Sequence, residues 1–266
     1  YIVTSVMIFA GAIGFPLLLN FKDKLVNFVR KLFSRADNSA PKVIHLYDLN
    51  TKLVFVTTLS ILAVCSAAFF ILEYDNTLAG MSDYDKAVQS VFNSLTPRSA
   101  GFMSVNPANF MPVTLLIVLI QMWIGGASQS LAGGIKVNTV AAVTLRAVIL
   151  GHRGATAYNR RLSTGSVRRA YGVVTLSIIA TLIYLVTVML LEPQLSVKAV
   201  TFEVISALFT VGSSLGITAD LSDASKIVLA TAMFLGRVGI LSLIMGFAGM
   251  SVDKSSHYPT ENIIIN

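Results

Sequence analysis

The stretch SLTPRSAGFMSVN, residues 94–106, decides the fold prediction for this sequence. It contains a proline, a glycine, an arginine and several hydroxyl side chains, yet long apolar runs lie on both sides of it. A bilayer core needs about 20 apolar residues per helix, and these runs are long enough. The stretch is therefore either an external loop or backbone that enters the membrane. Such backbone is tolerated at membrane depth only where it is buried in protein or lines a water-filled cavity.

The composition is that of an integral membrane protein. Of the 266 residues, 55% are hydrophobic and 12% are charged, whereas soluble domains carry roughly 25% charged residues. The net charge is +7, and thirteen of the 20 lysines and arginines lie in residues 22–52 and 146–169. Because positive loops mark the cytoplasmic side, both stretches are predicted to face the cytoplasm. The sequence contains no basic groove with interleaved aromatic residues, so nucleic acid is not expected as a partner.

One pattern occurs twice along the chain: a span, a short apolar segment, a glycine-bearing polar segment and a second span. The short segments are residues 87–95 and 197–210, and the polar segments after them are centred on Gly101 and Gly212. Since the basic loops are cytoplasmic, each short segment is predicted to be a half-helix that enters from the outside. The predicted spans are residues 2–20, 53–72, 113–124 resumed as 135–150, 173–191 and 226–250.

The two polar segments have the features of an ion filter. In potassium-channel filters, backbone carbonyls replace the hydration shell of the ion, and an entering half-helix points its negative C-terminal end at the cation. TVGSS, residues 210–214, shares its first three residues with the channel pattern TVGYG. SAGF, residues 99–102, places a hydroxyl, a small residue, a glycine and an aromatic in turn. For either segment alone, a glycine packing turn is the alternative.

A third polar segment interrupts a predicted membrane helix. GGASQSLAGG, residues 125–134, combines four glycines with two serines and a glutamine. Each glycine costs about 1 kcal/mol relative to alanine in a helix, so a broken helix is predicted here. The alternative is close helix packing through small residues.

Few ionisable residues are predicted at membrane depth. Arg237 falls in the middle of the last predicted span, where an arginine is costly and must face the pore or a buried acceptor. Its alternatives are an ion pair, for example with Glu203, or hydrogen bonds to carbonyls behind the filter. Arg98 is expected to act as a scaffold for the first filter segment. Cys65 is expected to be a small packed residue, and the three histidines show no metal spacing.

Four motifs together resemble the Trk/Ktr/HKT superfamily of potassium transporters: TPRSAGF, GGASQSLAGGIK, TVGSSLGIT and MFLGRVG. The tail HYPTENIII resembles the carboxy terminus of Ktr-type bacterial members. The resemblance covers essentially the whole chain and implies the C-terminal half of a TrkH/KtrB-like membrane subunit. Members have four non-identical repeats around one pore. A chain with only two of the four filter strands is not expected to conduct alone.

The fold class implied is an all-α membrane protein of helix–pore-helix–filter–helix units, with two complete repeats plus the last helix of a preceding one. The expected domains are a closing helix in residues 1–21, a cytoplasmic amphipathic linker in 22–50, a third repeat with a broken second helix in 51–150, a basic cytoplasmic loop in 151–170, a fourth repeat in 171–250 and a cytoplasmic tail in 251–266.

The resemblance also assigns roles to individual residues. Two of four filter strands are expected at Ser99, Ala100, Gly101 and Phe102, and at Thr210, Val211, Gly212 and Ser213. Potassium ions would be held at Ser99, Ala100, Gly101, Thr210, Val211 and Gly212. A flexible intramembrane loop that gates the pore is expected at Gly125, Gly126, Ser128, Gln129, Ser130, Gly133, Gly134 and Lys136. Arg237 is expected to be a pore charge that tunes cation passage.

The function implied is potassium uptake across the cell membrane through a channel-like pore, without enzymatic activity or a cofactor. Potassium is the transported ion, and sodium is a candidate coupling ion. The implied partners are the N-terminal half of the same subunit, a second copy in a homodimer, a cytosolic nucleotide-binding regulatory subunit of the TrkA/KtrA kind, and membrane lipid. The alternatives are a secondary transporter with broken helices or a non-conducting scaffold subunit. A membrane enzyme is disfavoured because the sequence has no convergent catalytic set.

Overall fold

A computed structural model describes residues 1–14, 18–19, 22, 26, 49–128, 130–148, 156–157, 160–161 and 164–239. Most of the predicted linker, the whole predicted tail and Gln129 lie outside these described residues. In chain order, the described elements are α1 (Ile2–Ile13), α2 (Leu49–Glu73), α3 (Asp83–Leu95), a 3₁₀ turn (Pro107–Asn109), α4 (Pro112–Trp123), α5 (Val137–Val148), β1 (Thr156–Ala157), β2 (Arg160–Arg161), α6 (Thr164–Leu191), α7 (Val197–Leu208) and α8 (Asp223–Val238).

Two of these helices are long and apolar enough to cross a membrane, over Thr51–Glu73 in α2 and Gly165–Leu191 in α6. Many of their apolar side chains are exposed, including Ile71 at 73% and Leu190 at 78%. Contiguous exposed apolar surface of this kind is unusual in a soluble protein. Helices α1 and α4 are apolar but shorter.

The basic loop differs from its predicted extent. Helix α6 begins at Thr164 rather than at residue 173, so it carries Arg168 and Arg169. Hydropathy marks only the apolar part of a helix, whereas its backbone hydrogen bonds continue beyond the membrane. The loop also holds a two-residue antiparallel pair, β1 with β2, which is too short to leave an alternating sequence pattern.

The half-helix of the third repeat begins earlier than predicted, at Asp83 rather than at residue 87. The hydroxyl of Ser82 accepts the Asp85 N–H at 3.2 Å and caps the helix. Asp83 and Asp85 lie in the first turn, where negative charge is favourable. Asp83 and Asp85 therefore form the start of α3.

The last span is also bounded differently. Ser222 caps helix α8, which begins at Asp223 rather than at residue 226. The helix ends at Val238, and Gly239 follows with a φ of 88°. The rest of the predicted span, from residue 240 onward, lies outside the described residues. Arg237 is therefore in the last turn of α8 and not at the middle of an unbroken helix.

The two segments predicted to be repeats, residues 51–150 and 171–250, pack on each other through one hydrophobic core in the described part of the chain. Helix α4 of the first segment contacts α7 of the second, and α5 contacts α6. The core contains Phe69, Phe110 and Met122 from the third repeat together with Phe202 and Leu208 from the fourth. This packing holds the C-terminal ends of α3 and α7 near each other.

Each of the two predicted repeats contains a buried glutamate that accepts a backbone N–H immediately before the second helix of its pair. Glu73, at the C-terminal end of α2, accepts the N–H of Met111 at 2.9 Å, immediately before α4. Glu192, just after α6, accepts the N–H of Ser222 at 2.7 Å, immediately before α8. Each carboxylate thus ties the first membrane helix of its repeat to the start of the second.

We expect Glu192 to give the protein an acid-sensitive component of stability. Hydrogen bonds from Ser222 and Ser225 lower the pKa of Glu192 from its ordinary 4.5 to about 2. Since the folded-state pKa is the lower one, this stabilisation is fully present above pH 4.5 and is lost as the pH falls through about 2. Thermal unfolding of the full-length protein in detergent should show a constant deficit for Glu192→Gln above pH 4.5 that closes toward pH 2. A deficit that does not depend on pH in this range would contradict the assignment.

Candidate ion filter and intramembrane loop

The two predicted filter segments share one backbone conformation. Ser99 and Gly101 have φ values of 63° and 72°, and Thr210 and Gly212, at the same two positions of the second segment, have 55° and 87°. Left-handed φ is uncommon for a non-glycine residue and marks a constrained backbone. When residues with positive φ alternate with residues with negative φ, successive backbone carbonyls point toward the same side of the strand. The sequence identified the glycines but not the left-handed Ser99 and Thr210.

The two segments lie side by side. A Cβ built on Gly101 would be 2.5 Å from the carbonyl oxygen of Val211 and 3.2 Å from the carbonyl carbon of Gly212. The hydroxyl of Ser99 donates to the carbonyl of Phe209 at 3.4 Å. The sites predicted at Gly101 and Gly212 are therefore brought together, and Gly101 is the point of closest approach.

Each segment starts at the C-terminal end of a half-helix. After α3, the N–H groups of Ala100 and Gly101 donate to the carbonyl of Thr96 at 3.1 and 3.3 Å. After α7, the N–H of Val211 donates to the carbonyl of Ser206 at 2.8 Å. Both predicted filter segments thus lie at the negative ends of helix dipoles, which favour a cation.

The predicted broken helix is interrupted between Trp123 and Val137. Ile124 and Ile135 form an isolated parallel bridge, and the Gly125 N–H donates to the Ile135 carbonyl at 2.9 Å. The backbones of the two ends of the loop approach each other closely. A Cβ on Gly125 would collide with the carbonyl of Gly133. The glycines are thus needed for a folded loop, and helix packing through small residues does not describe this segment.

The loop contacts both filter segments directly. The N–H of Gly133 donates to the hydroxyl of Ser99 at 2.8 Å. A Cβ on Gly133 would collide with the Thr210 hydroxyl and approach the Phe209 carbonyl. On its other side, the loop donates from Ala127 N–H to the Ala12 carbonyl of α1 at 2.8 Å. Of the predicted gate residues, Gly133 therefore lies against both predicted filter segments, whereas Ser128 is exposed and Gln129 is outside the described residues.

Two basic side chains hold adjacent carbonyls of the loop. Lys136 Nζ donates to the Ala132 carbonyl at 2.6 Å, and Arg237 Nη1 donates to the Leu131 carbonyl at 2.6 Å. The pairing of Arg237 with Glu203 considered from the sequence was wrong. Glu203 instead accepts the hydroxyls of Ser214 and Thr218, because α7 directs it to the segment after the filter.

Arg98 is buried, at 2% exposure, and its Nη2 donates to the Thr58 carbonyl of α2 at 3.4 Å. This contact ties the start of the first filter segment to α2, as a scaffold residue would. Phe102 and Gly212 are exposed within the described part of the chain, whereas Val211 and Ser213 are buried. Among the described residues, no group of three or more His, Cys, Asp or Glu side chains could hold a metal ion.

A cavity of about 350 Å³ lies beside the loop, lined by loop residues Gly133 and Lys136, by Leu208 and Phe209 at the end of α7, and by Arg237. Residues of α5, α6 and α8 complete its lining. The loop, both basic side chains and the base of the fourth-repeat filter segment thus share one space.

The sequence profile described as "TrkH: Cation transport protein" matches residues 1–258. The chain belongs to the TrkH family. Similar relatives include Ktr system potassium uptake protein D of Bacillus subtilis, 32% identical over 99% of this chain and 56% of the relative. Potassium/sodium uptake protein NtpJ of Enterococcus hirae is 29% identical over 99% of this chain and 56% of that protein. The TrkH-family assignment confirms the predicted superfamily and, with the apolar helices, a membrane location.

A solved structure has the same fold. The crystal structure of the potassium transporter TrkH from Vibrio parahaemolyticus aligns with a TM-score of 0.69 and 21% identity, covering 92% of this chain and 51% of that one. This likeness confirms the predicted helical class for the TrkH-family chain. The chain spans about half the length of the relatives it matches.

Sequence reasoning missed several polar residues that organise the site. Glu73 and Glu192 each follow a leucine at the end of an apolar run, a shared Leu-Glu signal that could have identified them. Asn93, whose amide donates to Ser104 Oγ at 2.6 Å, and Gln121, which donates to the Ser94 carbonyl at 3.2 Å, gave no such local signal.

Proposed function

We propose that this chain forms the third and fourth repeats of a potassium uptake subunit whose pore selects ions through backbone carbonyls. The observation that carries this proposal is the matched alternation of left-handed residues at Ser99, Gly101, Thr210 and Gly212. Repeated backbone geometry at the ends of two entering half-helices is what a carbonyl filter requires. The proposed ion ligands are the carbonyls of residues 99–101 and 210–212, with Phe102 and Ser213 completing the strands.

We further propose that residues 125–136 gate this pore from below. The contacts of Gly133 with Ser99 and Thr210 support the proposal, because a loop that touches both proposed filter strands is able to obstruct the ion path. Closing would need no large rearrangement, since Lys136 and Arg237 already fix two loop carbonyls. Opening would require these two hydrogen bonds and the Gly133–Ser99 bond to break.

The proposed assembly has four parts: two N-terminal repeats of the same subunit, a second subunit, a cytosolic nucleotide-binding regulatory subunit, and surrounding lipid. The proposed membrane orientation puts the basic residues 146–169 and the tail 251–266 in the cytoplasm, following the charge distribution. The basic loops, residues 22–52 and 146–169, together with the tail, are the proposed docking surface for the regulatory subunit. Sodium is proposed as a coupling ion, by reference to the potassium/sodium uptake protein among the relatives.

The direct test is cation uptake by the full-length protein. Cells that lack their own potassium uptake systems should grow at low potassium when they make it, and vesicles containing it should accumulate rubidium. Protein present in the membrane without growth or rubidium accumulation would overturn the proposal and favour a scaffold subunit. Accumulation of an organic solute under a sodium or proton gradient, without rubidium flux, would favour a secondary transporter.

A further inference from the structure

Each half-helix sends one buried polar side chain to the segment that follows its filter strand. Asn93 on α3 donates to Ser104 Oγ at 2.6 Å, and Glu203 on α7 accepts from Ser214 Oγ at 2.7 Å. In both repeats the two partners are 11 residues apart. The chain between them contains the filter strand, so each contact closes a loop around one strand. We call these two pairs the filter braces.

The brace of the fourth repeat is the more extensive one. The second carboxylate oxygen of Glu203 accepts the Thr218 hydroxyl at 2.5 Å. Thr218 Oγ1 also lies 2.8 Å from Ser214 Oγ, which in turn accepts the Gly216 N–H at 3.0 Å. Glu203 is 7% exposed and Asn93 is 2% exposed. Hydrogen bonds to a carboxylate that is shielded from solvent are stronger than those between neutral groups.

The open surroundings of Gly212 explain why the fourth-repeat filter strand needs a brace. Gly212 is exposed, and no heavy atom of the described residues lies within 4 Å of a Cβ built there. The position of its carbonyl therefore depends on what anchors the residues on either side. Toward α7 the strand is anchored by the Val211–Ser206 hydrogen bond. Beyond Gly212, the Glu203 brace provides the anchor.

We propose that Glu203 and Asn93 are positioning residues that set the ion selectivity of the pore by restraining the outer ends of the two filter strands. This inference rests on the proposed function. A filter that prefers potassium must resist contraction around the smaller sodium ion, or must keep a set number of carbonyls in place. A strand with a free outer end does neither, so loss of a brace relaxes selectivity without closing the pore.

The following variants distinguish the effect of the brace on selectivity from the effects of the Glu203 charge and of helix packing. Glu203→Leu removes the brace and keeps an apolar side chain of similar size. Glu203→Gln removes the charge but keeps a carbonyl acceptor and an amide donor for the two hydroxyls. Thr218→Val removes the two hydrogen bonds of the exposed Thr218 hydroxyl, to Glu203 and to Ser214, and leaves the Ser214–Glu203 bond in place. Thr201→Ala is the matched control, because the Thr201 hydroxyl on α7 bonds only to the Val197 carbonyl of its own helix.

The measured quantity is the ratio of sodium to potassium KM for uptake by the full-length protein. Glu203→Leu should lower this ratio at least tenfold, because it removes both hydrogen bonds to the carboxylate. Thr218→Val should lower it by a smaller factor, since the Ser214–Glu203 bond remains, and Asn93→Leu should also lower it less, since the bonds it removes come from a neutral amide. Glu203→Gln should lower it less than Glu203→Leu does, and Thr201→Ala should keep it at the wild-type value. Equal losses in Glu203→Gln and Glu203→Leu would overturn the brace, because the charge alone would then explain them.

Amide hydrogen exchange over residues 211–218, in detergent, gives a second readout that does not depend on transport. Exchange should become faster in Glu203→Leu and in Thr218→Val but not in Thr201→Ala. Unchanged exchange in both brace variants would overturn the inference, whatever the transport result. If the wild-type protein takes up no potassium, the proposed function fails by itself, and the exchange data still decide whether Glu203 restrains the strand.

Discussion

Gly101→Ala is expected to abolish most potassium uptake and selectivity in the full-length protein, whereas Gly212→Ala should retain uptake with weakened selectivity. Both glycines have left-handed φ values, 72° and 87°, so alanine costs about 1–2 kcal/mol of backbone strain at either position. Their surroundings differ. The alanine methyl at 101 would meet the Val211 carbonyl oxygen at 2.5 Å, which is backbone of the neighbouring strand. At 212 no such neighbour lies within 4 Å in the described part of the chain.

The comparison needs uptake rates for potassium and sodium at matched amounts of protein in the membrane. Gly172→Ala is the control for a glycine substitution as such. Gly172 lies in helix α6, has no left-handed φ, and leaves space for a methyl group. Its uptake should match the wild type within error. If Gly212→Ala is as damaging as Gly101→Ala, the close approach of the two strands is not what limits the site.

Arg237→Gln is expected to raise potassium flux while leaving potassium-over-sodium selectivity unchanged. Arg237 donates to Leu131 of the loop and makes no described contact with a filter carbonyl. Losing a hydrogen bond from a charged group weakens the closed position of the loop by about 1.5–3 kcal/mol, roughly a tenfold or greater shift toward the open loop. Removal of the positive charge from the cavity should also lower the electrostatic barrier for a cation.

Lys136→Gln is the matched variant, because Lys136 holds the next carbonyl of the same loop at the same distance. It should raise flux in the same direction, and the double variant should raise it further. Rubidium uptake and thermal stability in detergent would be measured together for each protein. Lower flux accompanied by lower stability in Arg237→Gln would instead assign a structural role to the arginine and defeat the gating assignment.

Local physical chemistry accounts for what could be predicted from the sequence. Apolar runs predicted the cores of α2, α4, α5 and α6, because lipid-facing or core helices need continuous apolar residues. Helix ends were less accurate, as at Asp83 and Thr164, because capping hydroxyls and solvated turns do not register as hydropathy. The glycines at 101 and 212 were identified for the right reason, since both have left-handed φ. Ser99 and Thr210 were not expected to share that conformation.

The order of the helices, the interruption of the helix between α4 and α5, and the two segments that hold the left-handed glycines could all be predicted from the amino-acid sequence. These features depend on hydropathy and backbone freedom, which act over a few residues. The contact partners depend on the packed fold: Ser99 contacts Gly133, 34 residues away, and Arg237 contacts Leu131, 106 residues away. It also directed Glu203 to Ser214 and not to an arginine. No local pattern encodes such contacts, because they exist only after α4, α7 and α8 have packed and brought their ends to one place.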